Sequence, residues 1–330
     1  MFQLYRRNNI MNIVFASSLS FGDLLSSMPA GAAQGIIWGI MALGVYITFR
    51  MLDIADMSVD GTFTTGGAVT VMLIVGGWNP WAAMAVAFAA GTLAGMCTGF
   101  LHTKLGIPAI LAGILTQFAL YSINLAIMGF SANKAVSVEK YALALSSRSI
   151  SYSLIIGLII AVIAIILMYW YFGTEHGSAM RATGSNPDMA KAQGINISAM
   201  KVFGLALSNG IVAFAGGLMA QFQGFADINM GRGSIVIGLA AIIIGEVLGE
   251  ALFKKHLSFG GRLAFIVIGG VIYYLVIVLV LWLKLNSNLL KLFTAIVVAI
   301  FLAVPYMKNQ SKASFKKAGK NSLKEGRKHE

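Results

Sequence analysis

The residues able to do chemistry in this very apolar chain are few and clustered. Asp53, Asp56 and Asp60 stand directly before Gly61-Thr62-Phe63-Thr64-Thr65-Gly66-Gly67. Carboxylates ahead of such a helix start can accept from its free N–H groups at the positive end of the dipole, so Asp60 or Thr62 is expected to cap it. Capping does not account for Asp53 and Asp56 as well. A helix that starts inside a membrane protein points to a cavity or a gate. Gly113, Gln117, Tyr121 and Asn124 follow i, i+4, i+8, i+11 spacing and share one helix face. A polar stripe in a bilayer must meet protein or water; hydrogen bonding between helices and the lining of a transport path both remain open. Asn209 and Glu246 are further polar groups within apolar stretches, and such groups are functional candidates by default. Glu250 lies near Lys254 and Lys255 and reads as an interfacial charge.

The largest polar insertion is the stretch 173–201. Asn186 or Asp188 can cap a short helix that starts at Pro187 and ends at Gly194. Connections usually run about 4–6 residues, so one this long is more than a link. A short amphipathic helix between two spans offers a docking surface for a cytoplasmic partner. Enzyme chemistry has no footing: no span carries a Ser/His pair, a His-x-x-x-His or a Gly-x-Ser-x-Gly. The single cysteine, Cys97, and four scattered histidines suggest neither a disulfide framework nor a metal site.

The elements that must position these groups are membrane helices. Hydrophobic residues make up 58% and charged residues 11% of the 330, with a mean hydropathy of +0.81. Soluble domains carry about 25% charged residues. Predominantly apolar runs at 28–49, 62–77, 80–101, 107–129, 151–172, 202–224, 234–253, 263–283 and 288–306 predict about nine crossings in an all-α polytopic membrane protein. The run at 62–77 is the shortest and most polar, and reads as a broken helix. Residues 1–27 would form an extracytoplasmic amino-terminal segment without a cleaved signal, 28–306 the transmembrane domain, and 307–330 a basic cytoplasmic tail. Net charge is +12, and the tail holds eight Lys or Arg residues against Glu325 and Glu330, which suits a membrane surface rather than nucleic acid. The distribution of Lys and Arg favours amino terminus out and carboxyl terminus in, in the cell membrane. Small residues every four positions, at Ala87, Gly91, Gly95 and Gly99 and again at Asn209, Ala213 and Gly217, predict close helix packing.

The stretch Gly177-Ser178-Ala179-Met180-Arg181-Ala182-Thr183-Gly184-Ser185-Asn186-Pro187, followed by Ala190 and Gly194-Ile195-Asn196, resembles the permeases of ribose and branched-chain amino acid ABC importers. Asp56-Met57-Ser58-Val59 followed by Gly66-Gly67-Ala68 is similar to the same family. The resemblance implies that the loop, with Met180, Arg181, Gly184, Asn186, Pro187, Asp188 and Gly194, forms a cytoplasmic coupling helix. It also implies a second permease copy, two ATPase subunits that bind ATP and Mg, and an external binding lipoprotein, with no cofactor in this chain. No Gly-x-x-x-x-Gly-Lys-[Ser/Thr] occurs, as expected if ATP is handled elsewhere. The stretch 238–247 departs from the ribose type and looks more like the subgroup serving tryptophan or tyrosine, so an aromatic amino acid is expected. A sugar or nucleoside importer is the alternative, as is a stand-alone carrier in which Asp56, Asp60 and Glu246 bind cations. A faint inverted repeat relates Asp56–Gly66 to Asp227–Gly238. Asp56, Asp60, Gln117, Tyr121, Asn124, Asn209 and Glu246 are the expected pathway or gate residues.

Overall fold

The computed structural model describes residues 21–137, 140, 141, 143–253 and 257–283, with isolated helical positions between 292 and 303. Helix α1 (Phe21–Tyr46) runs without a break into a π-helical turn, Ile47–Met51. After a short connection come α2 (Val59–Val75), α3 (Pro80–Thr103) and α4 (Ala109–Ile127). A small strand β1 (Asn133–Ala135) precedes α5 (Ile150–Gly173), and two short helices, α6 (Glu175–Ser185) and α7 (Pro187–Ala192), lead to α8 (Ile197–Gln223). Strand β2 (Phe225–Asp227), α9 (Ser234–Phe253) and α10 (Phe259–Trp282) follow. The two strands pair antiparallel, with Asn133 opposite Asp227.

Local chemistry sets several of these limits. Asn79 accepts from the Trp81 N–H at 2.9 Å and Pro80 fills the first turn of α3, an arrangement that needs no donor from the proline. Trp78 and Trp81, exposed at this end, and Trp282 at the end of α10 suit interfacial anchoring. Gly224, with φ of 80°, closes α8 in the left-handed conformation.

Seven helices among the described residues are long and apolar enough to cross a membrane, and α2 is apolar but only 17 residues long. The chain is a multi-pass membrane protein. The ninth predicted span, 288–306, falls almost wholly outside the described residues, as do residues 1–20 and the tail 307–330. The run at 62–77 is corrected: α2 is an unbroken helix, and the interruption lies before it, between Met51 and Val59.

Packing is reciprocal about α2 and α9. Helix α1 rests along α10, α8 rests along α3, and each of α2 and α9 packs on the helix that follows it. The glycine spacing makes the α3–α8 contact possible. A side chain at Gly95 would run into the carbonyl of Leu205, and one at Gly99 would come within 2.8 Å of the Val202 Cα. Backbones this close gain dispersion contacts that larger residues would forbid. The centre of the bundle is aromatic: Trp38 of α1 stacks on Phe63 of α2 at 4.8 Å and on Tyr274 of α10 at 5.9 Å between ring centroids.

Candidate functional site

The amino-terminal ends of α2 and α9 meet inside the bundle, and one carboxylate joins them. Asp60, in the first turn of α2, accepts from the Gly233 N–H at 2.9 Å, the Ser234 hydroxyl at 2.8 Å and the Ile235 N–H at 3.0 Å. A carboxylate on the free N–H groups of a helix start satisfies them and the positive dipole end together. Asp60 therefore caps α9, not its own helix, which corrects the reading from sequence. Thr62 bonds back to the Ser58 carbonyl at 3.0 Å and caps nothing.

The entry to α2 is held by a second carboxylate. Asp56 is 2% exposed and accepts from the Ser58 N–H at 2.9 Å, the Ser58 hydroxyl at 2.6 Å and Asn209 Nδ2 at 2.7 Å. Asn209 on α8 thus anchors the connection that feeds α2. Gly113 lets α4 come up against this entry, since a Cβ there would sit 2.6 Å from the Met57 backbone nitrogen. The third acid, Asp53, is exposed, with φ of 54° in the left-handed region.

Between α2, α4 and the loop before α9 lies a cavity of about 350 Å³, lined by Asp60, Gly61, Thr64, Gln117, Phe118, Tyr121, Asn124, Ile228 and Arg232. The volume is within the roughly 300–1,000 Å³ of small-molecule sites. Asn124 donates from Nδ2 to the Gly61 carbonyl at 3.2 Å, tying α4 to α2. Its Oδ1 is buried with no donor among the described residues. Such an orphan acceptor costs about 1–3 kcal/mol until something donates to it. In the polar stripe of α4, Asn124 bonds a neighbouring helix, and Gln117, Tyr121 and Asn124 line a polar space. A larger cavity, about 480 Å³, is lined by apolar and aromatic side chains such as Ile40, Phe88, Leu207 and Phe214 and lacks the convergent polar groups of the first.

Glu246 lies apart from the cavity. It forms a two-pronged ion pair with Arg50 of the π-helical turn, Arg50 Nε donating to Oε1 at 2.9 Å and Nη2 to Oε2. The same turn meets the polar insertion. A Cβ at Gly184 would collide with the Met51 carbonyl, so the end of α6 can rest there only as glycine.

The insertion contains two helices where the sequence suggested one. Thr174 caps α6 by accepting from the Gly177 N–H at 3.3 Å. Asn186 caps α7 by accepting from the Met189 N–H at 3.0 Å, with Pro187 in the first turn and Gly194 beyond the end at φ of 80°. Met180 is buried toward the bundle, while Arg181, Asn186, Pro187, Asp188 and Met189 are exposed. Arg232 also lines the cavity, though nothing in its sequence neighbours marks it as a wall.

Residues 27–305 match the family model described as branched-chain amino acid transport system / permease component. The chain belongs to this family. Its relatives include the tyrosine transport system permease protein of Clostridioides difficile (strain R20291), 41% identical over 84% of this permease and 91% of the relative. An uncharacterised protein of Rickettsia prowazekii (strain Madrid E) is 33% identical over 82% of the permease and 94% of its own length. The autoinducer 2 import system permease protein of Yersinia pseudotuberculosis serotype O:1b (strain IP 31758) is more distant, at 29% over 67% and 62%. No solved structure matches the permease.

Proposed function

We propose that this permease is the membrane-spanning subunit of an ABC importer for an aromatic amino acid. A second copy of the chain, two ATPase subunits that bind ATP and Mg, and an external binding protein complete the system. The observation that carries this reading is the polar cavity at the meeting of two helix starts, in a chain 41% identical to a permease named for tyrosine transport.

In this reading Asp60, Gln117, Tyr121 and Asn124 border the path, and Asp56 and Asn209 hold the helix that forms one wall. Discontinuous helices meeting near a substrate site are a recurrent transporter device. The reciprocal packing of α1 on α10 and α8 on α3 supports an inverted repeat. The exposed rim of α6 and α7, from Arg181 to Met189, supports a cytoplasmic coupling surface, with the amino terminus outside and the carboxyl terminus inside. Gly184 against Met51 gives that surface a mechanical route to the Arg50–Glu246 pair and hence to α9. Substrate choice would rest largely with the binding protein.

Native mass spectrometry of the permease purified in lipid nanodiscs from its own membranes tests the assembly. Two copies with two ATP-hydrolysing subunits are expected. A single chain that accumulates solute on an ion gradient with no ATPase present would overturn the reading.

A further inference from the structure

The loop before α9 is pinned on both sides of Arg232. The Gly231 N–H donates to Thr64 Oγ1 at 3.1 Å, and the Gly233 N–H donates to Asp60 Oδ2 at 2.9 Å. Arg232 itself is exposed, lines the cavity and makes no ion pair among the described residues. The carboxylate in the lining, Asp60, is engaged by the start of α9 through three donors. The cavity lining thus carries an arginine on a pinned backbone, with no ion pair among the described residues.

The same lining offers a complementary group. Asn124 is 1% exposed and its amide orientation is set by the donation of Nδ2 to the Gly61 carbonyl, which leaves Oδ1 as an acceptor without a donor among the described residues. Phe118 and Tyr121 stand beside it in the same lining, 71% and 43% exposed. A cation, an unfilled acceptor and two aromatic rings around about 350 Å³ match a solute that carries a carboxylate, an ammonium donor and a ring.

We propose that Arg232 is a specificity-determining residue of the pathway: it receives the carboxylate of the passing solute, while Asn124 Oδ1 accepts from its ammonium and Phe118 and Tyr121 cover its ring. This rests on the importer reading above and adds to it that the permease itself, and not only the binding protein, discriminates in favour of an amino acid. Arginine suits the task because its planar fork matches a carboxylate with two parallel hydrogen bonds. A sugar would leave the guanidinium without a counter-charge.

The test uses proteoliposomes holding the permease, its ATPase and its binding protein, with L-tyrosine and L-tryptophan as probes. ATP-dependent uptake by the wild-type assembly establishes the importer reading, and its absence sinks that reading separately. Given uptake, Arg232→Gln should lower the rate at saturating loaded binding protein about tenfold, the loss expected for one charge-assisted pair. Arg232→Lys should recover part of it, and affinity for the binding protein should stay within about twofold in both. Uptake by Arg232→Gln equal to wild type would overturn the proposal, as would a loss confined to binding-protein docking, which would make Arg232 a protein contact. Saturation-transfer NMR on wild-type permease alone in nanodiscs needs no variant: L-tyrosine should show transfer and tyramine, which lacks the carboxylate, much less. Equal transfer from both would refute a carboxylate site.

Discussion

The carboxylate of Asp60 on α2 holds the hydroxyl of Ser234 on α9 at 2.8 Å, so that one side chain joins the starts of two helices that are 174 residues apart. Helix propensity does not create such a junction. It arises because a helix start leaves N–H donors without partners in its own helix, and Asp60 supplies the acceptor for those of α9.

Replacing Asp60 with Asn should therefore act at a distance from its own helix. The charge on the α9 dipole and part of the hydrogen bonding would be lost, and the expected destabilisation is about 1 kcal/mol. Thermal unfolding in detergent measures it, and hydrogen exchange should show the loss at 233–236 rather than at the start of α2.

Gly184→Leu should uncouple transport from hydrolysis. The added side chain has no room over the Met51 carbonyl, so α6 must lift from the π-helical turn. Binding-protein docking should persist while uptake per ATP hydrolysed falls at least about tenfold, equivalent to ~1.4 kcal/mol. Asp188→Lys, on the exposed rim, should weaken ATPase association without changing the unfolding temperature. Coupled transport at normal rates in both variants would show that α6 and α7 do not carry the motion.

Much of this arrangement was legible in the sequence because its cause is local. Asn186 and Pro187 announce the start of α7, the four-residue spacing of glycine announces the α3–α8 contact, and the 113–124 stripe announces a polar face. What was not legible depends on partners far along the chain. Asp60 looks like a cap for α2 until the loop before α9 is folded against it. Glu246 reads as a lone polar group in an apolar run, and its partner, Arg50, lies 196 residues away. Arg232 reads as a topology charge because its loop has no periodicity. The π-helical turn at Ile47–Met51 has no pattern of its own in an apolar run; such turns occur often at functional places.

The Arg50–Glu246 pair should contribute little to stability. Its side chains are 50% and 20% exposed, and pairs open to solvent are typically worth 0–1 kcal/mol. A double-mutant cycle with Arg50→Gln and Glu246→Gln should give a coupling energy below about 1 kcal/mol for unfolding. Uptake should fall in either single variant and recover in the charge-swapped pair, Arg50→Glu with Glu246→Arg. Full activity in the single variants would leave the pair outside the transport cycle.

Tyr121 is half exposed on the cavity wall, so Tyr121→Cys in a Cys97→Ser background should react with a charged, membrane-impermeant thiol reagent. Excess L-tyrosine during turnover should slow the reaction. Labelling only by lipid-soluble reagents would place this face of α4 in the bilayer.

ATP-driven import of an aromatic amino acid is read most plainly from solute accumulation. Proteoliposomes containing the permease, its ATPase and its binding protein should concentrate radiolabelled L-tyrosine or L-tryptophan when ATP is present, and should stop when ATP is replaced by a non-hydrolysable analogue. Accumulation of ribose or a nucleoside in their place would contradict the substrate, and accumulation driven by an ion gradient without ATP would contradict the class.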